Sequence, residues 1–187
     1  LHFVPGLMRG RPPGRMLQLL PLAMLPAGLL AAAAFLLPPF FEAGIRLAVL
    51  AGLTSAAILA GWIRRRSRVA LGAPHPGLHW YLAAVLCLAL ALAAVLAMEF
   101  FPAQRAALRL FHLHLNTLGF IGLTALGTLA VLLPTAVGRP DPDAAGWLRR
   151  MLPWTLAGVL LTAVGASWWQ PASHAGLLLL FVPLARL

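Results

Sequence analysis

A polytopic bundle of transmembrane helices is the fold class this sequence predicts, and three observations predict it. Hydrophobic residues make up 61% of the 187 positions against 10% charged, with a mean hydropathy of +0.91. Water-soluble chains carry roughly 25% charged residues. The apolar residues fall in blocks near 20 long rather than in amphipathic stripes, the length a helix needs to cross a bilayer. Leucine and alanine dominate these blocks without alternation at period two, which argues against a membrane β-barrel.

Five blocks are long enough to span, near residues 17–37, 45–63, 78–101, 110–133 and 151–168, and a sixth starts near 175 and stops at 187. The first resembles a signal peptide in that Arg9, Arg11 and Arg15 precede it, but its apolar run continues through Leu37, too long for a typical h-region. It reads as the first anchor, with Pro21 and Pro26 as kink points. The sixth block covers only roughly 20 Å at 1.5 Å rise per residue, short of a ~30 Å hydrocarbon core. Together with an initial leucine, this suggests a single membrane domain, 1–187, within a longer multi-span chain. Neither a soluble domain nor an internal repeat is evident.

A formal net charge of +10 in a soluble protein would point to nucleic acid. Here the arginines sit in short loops between apolar blocks, where they set orientation instead. Arg9, Arg11 and Arg15, then Arg64, Arg65, Arg66 and Arg68, then Arg139, Arg149 and Arg150 occupy alternate connections. The intervening ones hold Glu42, then Glu99 with Arg105 and Arg109, then no charge between Trp168 and Ala175. The N-terminus is therefore expected in the cytoplasm and the protein in a bacterial inner membrane, with the lipid bilayer as its first partner and nucleic acid excluded. Trp62, Trp80, Trp147, Trp154, Trp168 and Trp169 lie near block ends, where interfacial anchors belong. The single Cys87 lies mid-block, so a disulfide framework and a cysteine metal cage are both excluded.

Chemistry concentrates in the fourth block. Imidazole is costly to bury in a membrane helix and marks a functional site by default. Under this topology His112 and His114 lie about one turn below the outer surface, at the level of Glu99 and of His174, which is placed in the loop before the sixth block. These four are candidate metal ligands. His75 and His79 lie at the opposite, cytoplasmic end, where Pro76 and Gly77 favour a loop, and His2 is uninformative. On a regular helix two residues subtend roughly 200°, so His112 and His114 cannot chelate one ion. His114 then shares a stripe with Thr117, Ile121, Thr124 and Thr128, expected to face the protein interior or a cofactor. His112 shares the other face with Asn116 and Gly119, suited to helix packing. His114 is the preferred ligand and His112 an interfacial or supporting residue. A structural reading stands beside this one, in which each imidazole hydrogen-bonds nearby backbone and the threonines pack. The bilayer midplane holds only Thr54, Ser55, Cys87, Thr124, Thr128 and Thr162, which offers a proton-coupled transporter no ionisable group.

The segment Arg109-Leu110-Phe111-His112-Leu113-His114-Leu115-Asn116-Thr117-Leu118-Gly119-Phe120 resembles the second core helix of haem–copper oxidase subunit I, especially the cytochrome-cbb-type and nitric-oxide-reductase-like branches. In those a His-x-Asn element near the outer end of the helix supplies an axial ligand to low-spin haem b. It is also similar to NnrS-type haem- and copper-containing membrane proteins, and Leu132-Leu133-Pro134-Thr135-Ala136-Val137-Gly138-Arg139 resembles the helix exit in both. The resemblance implies His114 as ligand to haem b, with Asn116 and Arg109 as supporting polar groups and Thr117 beside them. It implies electron transfer or oxygen or nitric oxide chemistry, with an oxidoreductase activity if further helices supply the remaining ligands, and other membrane subunits or a redox partner. Two alternatives stay open. One is a cofactor-free structural or assembly subunit whose Gly119, Gly122 and Gly127 pack against partners. The other is a copper-handling protein using His112, His114, His174 and Met98 or Glu99.

Overall fold

The computed structural model describes residues 20–37, 39, 41–68, 75–139 and 141–185, and among these every regular element is helical. Arg9, Arg11, Arg15, His2 and the first residues of the expected opening span lie outside the described residues. The chain divides into two compact units, Leu1–Pro74 and His75–Leu187.

In the first unit α1 (Leu20–Leu36) packs on α2 (Phe41–Arg68). The approach is close because Gly44 lacks a side chain: a Cβ there would stand 2.7 Å from that of Ala34. α2 is longer at both ends than its apolar block, with Glu42 in its first turn and Arg64, Arg65 and Arg68 in its last. Both placements oppose the helix dipole favourably. Glu42 pairs with Arg46 at 3.7 Å, but the two side chains are 80% and 53% exposed, so the pair adds little.

The second unit holds α3 (Gly77–Phe100), a long rod, α6 (Ala144–Trp168) and α7 (Gln170–Leu184). The rod, Pro102–Ala136, begins with a 3₁₀ turn (Pro102–Gln104) and continues as α4 (Arg105–His114). A π-helical segment (Leu115–Gly122) and α5 (Leu123–Ala136) complete it. Helices of spanning length and composition are Phe41–Arg65, Gly77–Phe100, Pro102–Ala136 and Ala144–Trp168, four where five were expected among the described residues. The 17 residues described for α1 cover roughly 25 Å, and the 15 of α7 roughly 22 Å. The described residues are thus those of a helical membrane protein with four candidate spans.

Lipid tails are as apolar as leucine, so helices in a bilayer associate through close van der Waals contact and hydrogen bonds rather than by escaping water. The sequence supplies small residues where that contact occurs. On α3 the stripe Trp80, Ala84, Cys87, Ala91 and Ala94 recurs at alternating spacings of four and three and is buried throughout. It meets Leu115, Leu123, Leu126 and Ala130 of the rod and Leu148, Val159 and Ala163 of α6. A Cβ on Gly127 would stand 2.8 Å from the Cβ of Trp80, so glycine is what lets these backbones touch. Between α6 and α7, Gly158 lies against the Gly176 carbonyl, Gly165 against the backbone of Ser173, and Gly176 against Thr162. The sequence reading missed this seam.

Two expectations are corrected here. His174 is not in a loop but in the second turn of α7, because Trp169 alone, at φ −152° and ψ 89°, reverses the chain. Pro171 sits in the first turn of α7, where a missing N–H is tolerated. Trp80 and Trp147 are not interfacial anchors: they are 0% and 7% exposed and stack at 6.1 Å with planes 13° apart. The Trp80 indole N–H donates to the Leu148 carbonyl at 3.0 Å, satisfying the buried donor and tying α3 to α6. Trp154, Trp168 and Trp169 remain exposed, as rim residues would be.

The rod ends at Gly138, whose φ of +70° suits glycine. Its N–H bonds the Thr135 carbonyl at 3.1 Å and that of Arg139 bonds Pro134 at 2.9 Å, the paired closure of a Schellman cap. Gly138→Ala should therefore lower stability by about 1 kcal/mol. Gly127→Ala should cost more, about 1–3 kcal/mol, because Trp80 has no room to retreat. Unfolding of the purified protein in detergent, followed by tryptophan fluorescence, checks both and their order.

Candidate functional site

His112 and His114 occupy the last turn of α4, and each ring is half-buried. Nδ1 of His112 lies 2.9 Å from the backbone carbonyl of Ala91 on α3, and Nδ1 of His114 lies 2.8 Å from that of Leu110, one turn back on its own helix. A carbonyl only accepts, so both contacts assign the proton to Nδ1 and leave the lone pair on Nε2. That is the tautomer a metal-ligating histidine needs, and the hydrogen bond to a carbonyl is the support such ligands usually carry.

The two histidines serve different faces, as their spacing requires: His112 takes the packing face expected of it, whereas the His114 stripe, expected towards the protein interior or a cofactor, lies on the open side of this unit. The face holding His112, Leu115 and Gly119 is the buried one. A Cβ on Gly119 would stand 2.6 Å from Cys87 Cβ and 3.4 Å from Val159, locking the rod between α3 and α6. The His114 stripe lies on the open side, where Thr117 is exposed and Ile121 is 57% exposed. Its extrapolation to Thr124 and Thr128 assumed 3.6 residues per turn, whereas the π segment bonds i to i+5 and shifts the register beyond His114. The Thr117 carbonyl, five residues back, lies 3.4 Å from where a Gly122 Cβ would be, as that wider coil demands. Thr117 donates to Leu113 at 2.7 Å, Arg109 is exposed, and Asn116 is half-buried.

Glu99, His112, His114 and His174 do not converge. Among the described residues no group of three or more His, Cys, Asp or Glu side chains could hold a metal ion. His174 is exposed on α7, and Glu99 and Met98 are half-buried at the end of α3. Aromatic contacts occupy this end instead. Phe111 packs on Trp168 at 5.5 Å, and the Trp168 N–H donates to Gln104 Oε1 at 3.1 Å. Threonine hydroxyls in the spans bond backbone four residues earlier, as at Thr54, Thr124, Thr155 and Thr162. Tyr81 adds a link, its hydroxyl 2.6 Å from that of Thr128. Gly119 and Gly127, expected to receive partners, are occupied within the chain by Cys87 and Trp80.

Roughly 30 Å away along α3 from Glu99 lie His79, which is exposed, and His75, which is half-buried rather than a free loop residue. His75 Nδ1 accepts the Gly77 N–H at 3.1 Å, covering one of the unpaired amides that open α3. Two adjoining clefts open there. One, of about 230 Å³, is lined by Leu133, Pro134, Val137 and Trp147, and the other, of about 180 Å³, by His75, Val131, Thr135 and Pro142, with Ala130, Asp141 and Ala144 shared. Neither reaches His112 or His114.

No protein-family model matches the chain, and no solved structure matches it. Among curated proteins it is similar to cytochrome c oxidase subunit 1 of Thermus thermophilus, at 38% identity over 58 residues. The match covers 30% of this chain and 54% of the relative, so the chain spans about half the length of the curated protein it matches.

Burial lowers the pKa of His75 below its usual 6.5, because it penalises the charged ring. A base with a depressed folded-state pKa holds fewer protons folded than unfolded. Its stabilising effect is thus present above about pH 6.5 and is lost as pH falls through the folded value. Protonation also removes the lone pair that accepts from Gly77. Thermal stability should fall on acidification from pH 7 towards 5, and His75→Asn, whose side-chain oxygen can cap without titrating, should flatten that part of the profile.

Proposed function

We propose that this chain belongs to a multi-pass bacterial inner-membrane haem protein resembling haem–copper oxidase subunit I, in which His114 would hold haem b. The observation that carries the reading is the His114 ring itself. Its Nδ1–H is engaged by the Leu110 carbonyl, so Nε2 presents a fixed lone pair on the open side of the rod. An imidazole on that face is poorly suited to bare lipid and well suited to a flat, apolar, iron-bearing group. The likeness to an oxidase subunit over 58 residues and the His-x-Asn pattern support the same assignment.

Exposed Leu113 and Ile121 flank His114 as apolar surface for a macrocycle, with Thr117 beside them and Arg109 and Asn116 as nearby polar groups. When bound, haem b supplies one-electron transfer and, with a free coordination position, binding of a small gas such as oxygen or nitric oxide. The residues of this chain would hold and orient it, fix the ligand tautomer, and keep water away with the surrounding leucines. The remaining ligands, an oxidoreductase activity and a redox partner would come from outside this chain's described helices. The alternation of arginine-rich and weakly charged connections supports a cytoplasmic N-terminus with His114 towards the outer surface.

Copper handling would require the four outer-level side chains to meet, and they are not brought together. A cofactor-free subunit would use the rod glycines against partners, and two of them are already occupied. Protein purified with haem supplementation should show a Soret band that His114→Ala removes while the fold, read by circular dichroism, is retained. A spectrum identical in the variant, or no haem iron in the purified protein, would reject the assignment.

A further inference from the structure

The two histidines make the same kind of bond to a carbonyl, but one bond closes within a helix and the other crosses between helices. The His114 bond to Leu110 leaves the rod free to roll about its axis. The bond from His112 to Ala91 does not, because Ala91 belongs to α3 and is fully buried. His112 stands two residues before His114 and three before the change from α to π winding at Leu115. Seven residues further, Gly119 rests on Cys87 of the same helix. The Gly119 contact fixes separation but lacks direction, since two small groups in van der Waals contact can slide. On this side of the π segment the His112 bond supplies the direction, the Tyr81–Thr128 contact lying beyond that segment on α5, and it lies beside the residue whose aim matters.

We propose that His112 is a positioning residue: its Nδ1–H to the Ala91 carbonyl sets the roll of the rod and thereby points His114 to the open side. The part concerning haem rests on the proposed function, whereas the part concerning roll does not. His112 is then no ligand, and any side chain that donates from the Nδ1 position should replace it. Asparagine does so, because its amide nitrogen occupies nearly the same place. Phenylalanine keeps the bulk and removes the donor.

The test uses the full chain in lipid nanodiscs with one added cysteine, Ile121→Cys, on the open side, Cys87 being buried in place. The readout is its reaction rate with a lipid-soluble maleimide in haem-free protein, and haem binding is read separately on the chain with Ile121 intact. Interhelical hydrogen bonds in membranes change equilibria by about threefold on average. His112→Phe should therefore slow labelling by about threefold and weaken haem binding by a similar factor. His112→Asn should restore both, with haem bands at their original positions, and His114→Ala should abolish haem binding while leaving the labelling rate unchanged. If His112→Phe does not fold, His112→Gln, whose amide reaches beyond the Nδ1 position, takes its place with the same expected slowing. An unchanged rate in the donor-free variant, or no rescue by asparagine, overturns the proposal. So does haem loss in His112→Asn with labelling unaffected, which would make His112 a ligand. Absence of haem in every protein overturns the proposed function and leaves the labelling result to decide the role of His112.

Discussion

The seam between the rod and α3 is the constraint on which the second unit depends. Within a bilayer no gain from leaving water is available to hold two apolar helices together, so contact must be close and polar groups must be matched. Along this seam Gly127 admits Trp80, Gly119 admits Cys87, and His112 bonds the Ala91 carbonyl. α6 joins through the indole of Trp80 and the stacked ring of Trp147. Among the described residues no buried side-chain nitrogen or oxygen is left without a partner. Satisfied polar groups and small residues at the contacts are what a bilayer-spanning bundle requires.

The π segment sits in the middle of this seam and links packing to the site. Bonding from i to i+5 widens the coil, and eight consecutive residues adopt it where π turns are usually brief and frequently found at functional positions. It lies between His114 and α5, so the two halves of the rod can satisfy different neighbours. The upper half presents one histidine to α3 and the other to the open side. The lower half keeps Leu123, Leu126 and Ala130 on the core. A uniform α-helix would tie those two demands to a single register.

Much of the architecture was legible because it follows from local rules. Block length and the scarcity of charge identify the helices, and proline, glycine and arginine mark their ends. The separation of His112 from His114 also follows from helix geometry and holds. What failed were inferences that a residue type has one habitual place. Trp80 and Trp147 have interfacial chemistry yet lie in the core, since each found a partner there. His174 seemed a loop residue because a one-residue reversal at Trp169 leaves no loop signal. His75 seemed free because Pro76 and Gly77 hide the cap it makes.

The sequence by itself determined the class of protein, a helical membrane protein, and the helical blocks that cross-pack in it, because hydropathy and chain rise are properties of single segments. Only the tertiary structure decided which carbonyl each histidine bonds and that the His114 stripe opens outwards. That choice depends on where the rod touches α3, on glycines pairing with Cys87 and Trp80 far away in sequence, and on a π segment that no 3.6-residue period foresees. Facing is a relation between helices, and a single helix does not carry it.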